Sequence, residues 1–223
     1  ERQALMSRFL FPKWSNKVLP LGFFFGLGPA GTAVVAGVWY YGTNKHFEVG
    51  YAPEQPVPFS HKLHAGDMGM DCRYCHSTVE KGAFASVPPT QTCMNCHEKV
   101  LTTSPNLAKV RDSWKSDVPI EWVKVHNLPD YAYFDHSVHL SAGVGCESCH
   151  GRIDQMPIVE QKEPLSMGWC LDCHRAPEAH LRDPKDVTKM GMLEASQKSG
   201  QPMARPADLR KPVPPQNCSG CHR

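Results

Sequence analysis

Several things are scarce in this chain of 223 residues. Aromatic side chains make up only 9% of it while prolines number 20, which excludes a conventional core of packed rings and aliphatics as the main source of stability. Net charge is small, a formal +2 from 24 basic and 22 acidic residues. Charge of either sign is absent from Val18 to Asn44. That stretch does not belong on the surface of a soluble domain. Also missing is any spare cysteine: all ten fall in one pentapeptide pattern.

The pattern is Cys-x-x-Cys-His, present as Cys72, Cys75 and His76; Cys93, Cys96 and His97; Cys146, Cys149 and His150; Cys170, Cys173 and His174; Cys218, Cys221 and His222. Cysteines three apart in a tight turn put both sulfurs on one side, where they can form thioethers to the two vinyl groups of one porphyrin. The following histidine then sits under the iron as proximal ligand. Zinc knuckles come in pairs, and neither a zinc ribbon nor a disulfide scaffold needs histidine after every second cysteine. The pattern therefore predicts five covalently bound c-type haems.

The cofactor count explains the scarcities. Each haem is served by roughly 36 residues of the chain beyond the uncharged stretch, so porphyrin faces must replace much of the missing apolar side chain. The expected fold is mainly α with extensive loops, little or no β-sheet and one N-terminal transmembrane helix. Haem propionates also change the charge, to about −3 oxidised or −8 reduced, which excludes nucleic acid as a partner.

Residues 1–18 carry Arg2, Arg8, Lys13 and Lys17 against Glu1 alone. Residues 19–41 are long enough to cross a hydrocarbon core of about 30 Å, with Trp14, Trp39, Tyr40 and Tyr41 where interfacial aromatics belong. A cleaved signal peptide, with Val34-Val35-Ala36 as its cleavage site, is disfavoured because its apolar region usually runs only about 7 to 15 residues. The positive flank predicts a cytoplasmic N-terminus and a periplasmic haem domain on the bacterial inner membrane. Gly22, Gly26 and Ala30, with Ala33 and Gly37, would let another membrane helix approach closely. Residues 42–58 are a proline-bearing linker.

A two-haem unit then occurs twice, over 59–100 and 134–180, separated by a connecting segment, 101–133. Phe59-Ser60-His61-Lys62-Leu63-His64 precedes the first pair of haem motifs, and Phe134-Asp135-His136-Ser137-Val138-His139 precedes the second. Histidines three apart share one side of a helix but cannot both reach one iron from one face. Each pair should therefore serve two different haems. At these residues the chain resembles the class III multihaem cytochromes, the c3 and c7 group, which implies that His61, His64, His136 and His139 are distal ligands.

A fifth distal ligand remains to be found. His126 and Met156 are the leading candidates, with Met167, His180, Met190, Met192 and Met203 behind them; methionine ligation would raise that haem's potential. Trp114 and Trp122 should cover haem faces, and Arg175 and Arg182 are candidate partners for propionates. Residues 181–223 form a strap that delivers the fifth haem, with a helix expected in Asp186 to Ser199 and five prolines between 200 and 217.

The whole layout is similar to the pentahaem, singly anchored cytochrome subunit of alternative complex III, through its anchor, its two-two-one order of haem sites, and the blocks Val125 to His139 and Met167 to Arg175. The resemblance implies an electron-transfer subunit, no enzyme by itself, in a quinol-oxidising respiratory complex with a polytopic quinol-binding subunit, an iron–sulfur subunit and a monohaem cytochrome c. The acceptor would be a periplasmic cytochrome c, a copper protein or a terminal oxidase. A self-sufficient NapC/NirT-type quinol dehydrogenase would need its own quinol site, for which Lys45 and His46 are the only suggestive residues. A multihaem reductase would need an open iron position with acid–base groups, and no motif supplies one.

Overall fold

The computed structural model describes residues 12, 14–42, 48–207, 209 and 211–222. The basic residues Arg2, Arg8 and Lys13, and the pair Lys45 and His46, lie outside them. The described residues are helices, turns and loops with no strand, and their one β-type pairing is an isolated bridge between Val144 and Leu181. The protein is thus mainly α with extensive loops. It divides into two units, Glu1–Phe47 and Glu48–Arg223.

The described part of the first unit is one apolar helix, α1, Ser15–Tyr41, whose 27 residues rise about 40 Å and exceed a hydrocarbon core of about 30 Å. Pro29 lacks an N–H and would press its ring on the carbonyl four residues back. The helix answers by widening into a π turn over Phe23–Leu27, where the Gly28 N–H bonds the Phe23 carbonyl.

In the second unit the helices are short: α2 Cys72–Cys75, α3 Thr90–His97, α4 Ala108–Ser116, α5 His136–Ala142, α6 Glu147–His150, α7 Met167–Arg175 and α8 Met192–Ser199. Side-chain caps set several starts. Asp71 accepts the Arg73 N–H, Asp135 the Ser137 N–H and Ser166 the Trp169 N–H. Glycines in the left-handed region end two of them, Gly143 (φ 92°) after α5 and Gly200 (φ 67°) after α8. The helix expected in Asp186 to Ser199 forms only over α8.

The apolar core is small. Val57, Met94 and Val110 form one buried cluster, with Leu107, Ile120 and Trp122 against it; Val79, Leu140 and Val187 form another. Trp122 thus packs on side chains, while Trp114 is half exposed. Two clusters of three cannot order 176 residues on their own, which fits a domain completed by large covalent cofactors.

The two repeats dock on each other reciprocally. The Lys62 N–H bonds the Met156 carbonyl (3.0 Å), and the Ser137 N–H bonds the Gly82 carbonyl (3.3 Å). Gly82 and Met156 occupy the same place, six residues after His76 and His150. Each Phe-x-His-x-x-His turn is therefore seated on the loop that follows the other repeat's first haem motif, an approximate two-fold exchange.

Candidate haem-binding sites

Each Cys-x-x-Cys-His copy closes a helical turn. His76, His150 and His222 bond by their N–H groups to the carbonyl of the first cysteine of their own copy, at 2.8, 3.0 and 2.9 Å. This turn brings residues i, i+3 and i+4 to one side, the placement that thioether attachment with axial ligation needs. None of the ten cysteines is in a disulfide. Among the described residues no group of three or more His, Cys, Asp or Glu is gathered to hold a bare metal ion.

The imidazoles are oriented for ligation. His76, His97, His174 and His222 place Nδ1 on the carbonyls of Ser86 (2.7 Å), Val100 (3.1 Å), Pro215 (2.7 Å) and Tyr131 (2.9 Å). An Nδ1–H given to a carbonyl fixes the tautomer that leaves Nε2 free to bind metal. His64, His136 and His139 do the same with Ser60, Ala83 and Asp135, at 2.9, 2.7 and 2.7 Å. Those carbonyls carried no sequence signal, since every residue has one. Only Ser86, at φ 57°, stands out as locally strained.

The doubled motif has doubled geometry. Phe59 meets His61 edge-on at 4.9 Å and stacks on His64 at 4.5 Å; Phe134 does so with His136 at 4.8 Å and His139 at 4.4 Å. The two histidines of each turn diverge toward different partners. Ring centroids lie 6.2 Å apart for His64 and His97, 6.2 Å for His139 and His174, and 6.5 Å for His136 and His150. Two imidazoles bound to one iron from opposite sides at about 2.0–2.1 Å would have centroids about 6.3 Å apart. Burial, and after it the His76 imidazole, lowers the pKa of His61 to about 4. The donor set and its spacing fit c-type haem.

The copies adjoin in a definite succession. Cys75, of the first copy, lies within electrostatic reach of Cys93 and Cys96 of the second. The thiols of Cys72 and Cys146 influence each other's ionisation, which lowers the pKa of Cys72 and raises that of Cys146 and relates the first copy to the third. Cys149 reaches Cys173 and Cys170, and burial pushes its thiol up to about 12. Cys170 in turn reaches Cys221. Around the junction of first and third copies, burial, with His126 and His136 beside it, drives the pKa of His150 down to about 3.

Glu147, inside the third copy, is buried with Arg182, which is 0% exposed. Arg182 donates Nη2 to Glu147 (2.7 Å) and Nη1 to the Lys189 carbonyl (2.8 Å), and Glu147 also accepts the N–H groups of Gly191 (2.6 Å) and Leu193 (2.8 Å). Arg182, expected at a propionate, thus has a carboxylate of the chain itself as partner; Arg175 is exposed and pairs with Asp172. Gly145 must be glycine, because a Cβ there would come within 2.3 Å of the Arg182 guanidinium.

His126 stands against His150, with ring centroids 4.5 Å apart, planes at 82° and Nε2 at 3.3 Å from His150 Nδ1. That separation is too short for two imidazoles sharing one iron. Met156 is buried, 5% exposed, and its carbonyl joins the repeats. Beside His222 the structure places Tyr131, with centroids 5.9 Å apart. His180 has a buried Nδ1 without a hydrogen-bond partner, and Met167 is exposed.

Turns whose paired cysteines are placed for haem attachment, faced by histidines at axial spacing, define the pattern of a multihaem cytochrome c. Residues 132–223 match the family of cytochrome c7 and related cytochrome c. The menaquinone reductase multiheme cytochrome c subunit of Nitratidesulfovibrio vulgaris (strain Hildenborough) is 39% identical over 149 residues, covering 57% of this chain and 70% of that protein. The chain belongs to this family of multihaem cytochrome c proteins.

Proposed function

We propose that this chain is the electron-carrying subunit of a quinol-oxidising respiratory membrane complex of the alternative complex III kind. Five c-type haems would be held by the ten cysteines, with His76, His97, His150, His174 and His222 as proximal ligands. His61, His64, His136 and His139 would complete the first, second, third and fourth copies in turn. Bound there, the haems would supply one-electron oxidation and reduction. The chain's own residues hold Nδ1 of every one of these histidines except His61, whose buried Nδ1 has no hydrogen-bond partner, and keep neighbouring sites within electrostatic reach.

The observation that carries this reading is the unbroken succession of attachment sites, second, first, third, fourth, fifth. Each lies within electrostatic reach of the next, through Cys75 and Cys93, Cys72 and Cys146, Cys149 and Cys173, and Cys170 and Cys221. Such an order suits a relay with its ends at the second and fifth copies, and it needs no substrate pocket. The anchor α1, with a cytoplasmic N-terminus, would hold the relay on the periplasmic side of the inner membrane. There it would meet a polytopic quinol-binding subunit, an iron–sulfur subunit and a monohaem cytochrome c. The likeness to a menaquinone reductase subunit favours a second reading, in which the same relay carries electrons toward quinone.

Stopped-flow spectroscopy tests both. Menaquinol should reduce the haems rapidly in the intact complex and slowly in the purified chain; equal rates would assign a quinol site to this chain and replace the relay reading with the quinol-dehydrogenase one. Faster haem oxidation by menaquinone than reduction by menaquinol, in the same complex, would select the second direction.

A further inference from the structure

Four of the five motif histidines give Nδ1 to a backbone carbonyl, and His150 alone faces a side chain, His126 Nε2 at 3.3 Å. The approximate two-fold relation of the repeats sharpens the exception. His76, the counterpart of His150, uses the Ser86 carbonyl at 2.7 Å. The third copy has exchanged a carbonyl for an imidazole at the junction where the two repeats meet.

We propose that His126 is a positioning residue for the third copy: it accepts the Nδ1 proton of His150 and so sets the tautomer, orientation and electron-donating strength of that ligand. The proposal rests on the reading of His150 as an iron ligand. A histidine that binds metal through Nε2 must carry its proton on Nδ1, so it donates. His126 must then be neutral, with its proton on Nδ1 and a lone pair on Nε2. An acceptor held at Nδ1 raises ligand basicity, which favours the ferric state and lowers the potential of the site. His126 touches His150 of the third copy and is also within electrostatic reach of His61. The relay would carry a site of adjusted potential at its midpoint, between the two repeats.

The test is spectroelectrochemical titration of the purified complex bearing His126→Phe, which keeps a ring and removes the acceptor, and His126→Gln, whose carbonyl oxygen can accept. His126→Phe should leave every haem low-spin while shifting the oxidised-to-reduced ratio of one haem about tenfold toward reduced, a rise of about 59 mV for one electron. His126→Gln should recover most of that shift. Potentials unchanged in both variants would overturn the proposal, and a new high-spin haem in His126→Phe would overturn it by making His126 an iron ligand. His150→Ala tests the underlying reading separately. One haem should turn high-spin in it, and a fully low-spin spectrum would remove His150 as a ligand whatever His126 does.

Discussion

Replacing Glu147 should unfold the second unit far more readily than the size of the change suggests. The carboxylate is 5% exposed and receives three hydrogen bonds, from the guanidinium of Arg182, itself 0% exposed, and from the Gly191 and Leu193 N–H groups. Glu147→Ala strands a buried cation, for which losses of about 3–5 kcal/mol are usual, and leaves two backbone donors without their acceptor, about 1–3 kcal/mol each where water cannot reach. A net loss of at least about 4 kcal/mol is expected, a large part of a stability of about 5–15 kcal/mol. Glu147→Gln keeps one oxygen but turns an amide NH₂ toward another donor, so it should lose about 2–3 kcal/mol. Guanidinium unfolding of the detergent-solubilised chain, followed by far-ultraviolet circular dichroism, would read Glu147→Ala as a midpoint lower by about 1 M. The double variant Glu147→Leu, Arg182→Met removes both charges and should be more stable than Glu147→Ala alone. A loss below about 1 kcal/mol in Glu147→Ala, or a double variant no better than the single, would refute the reasoning.

The remaining expectations concern the sites. Haem determination against protein mass should give five haems per chain, and exchanging both cysteines of any one copy for alanine should remove one. His136→Ala or His139→Ala should each turn one haem high-spin and slow electron transfer; unchanged spectra and rates in both would sink the distal assignment. The Arg73 guanidinium, by hydrogen bonding, holds the carboxyl of Asp71 at a pKa of about 2, below its ordinary 3.8. A depressed carboxyl stabilises the fold above its unfolded pKa and loses that contribution as pH falls through the folded one. Asp71→Asn should therefore flatten the stability profile between about pH 4 and pH 2. Partial exposure limits the effect to less than about 1 kcal/mol in acid-titration calorimetry.

Much of this protein was legible in its sequence, for identifiable reasons. Attachment of a haem requires two thiols and an imidazole within one helical turn, so the copies announce themselves by local spacing. The doubled Phe-x-His-x-x-His turn was equally plain, since stacking of Phe59 on His64 and of Phe134 on His139 is a contact between residues five apart. That the described residues form short helices and loops without a strand followed from the proline content and from a composition too poor for a conventional core. Less legible was Arg182, which read as an exposed or propionate-bound cation because its carboxylate partner, Glu147, lies 35 residues away.

What the sequence determined by itself, then, is everything that depends on neighbours in the chain: the motif copies, the internal repeat, and an uncharged stretch long enough to cross a membrane. Tertiary structure alone decided which copies adjoin, that Cys72 lies within reach of Cys146, and that His126 faces His150. The physical reason is that these pairs lie 74 and 24 positions apart in the chain, the first across the docked repeats and the second between the connecting segment and the second repeat. That docking runs through backbone carbonyls, which every residue carries and no side-chain pattern can mark.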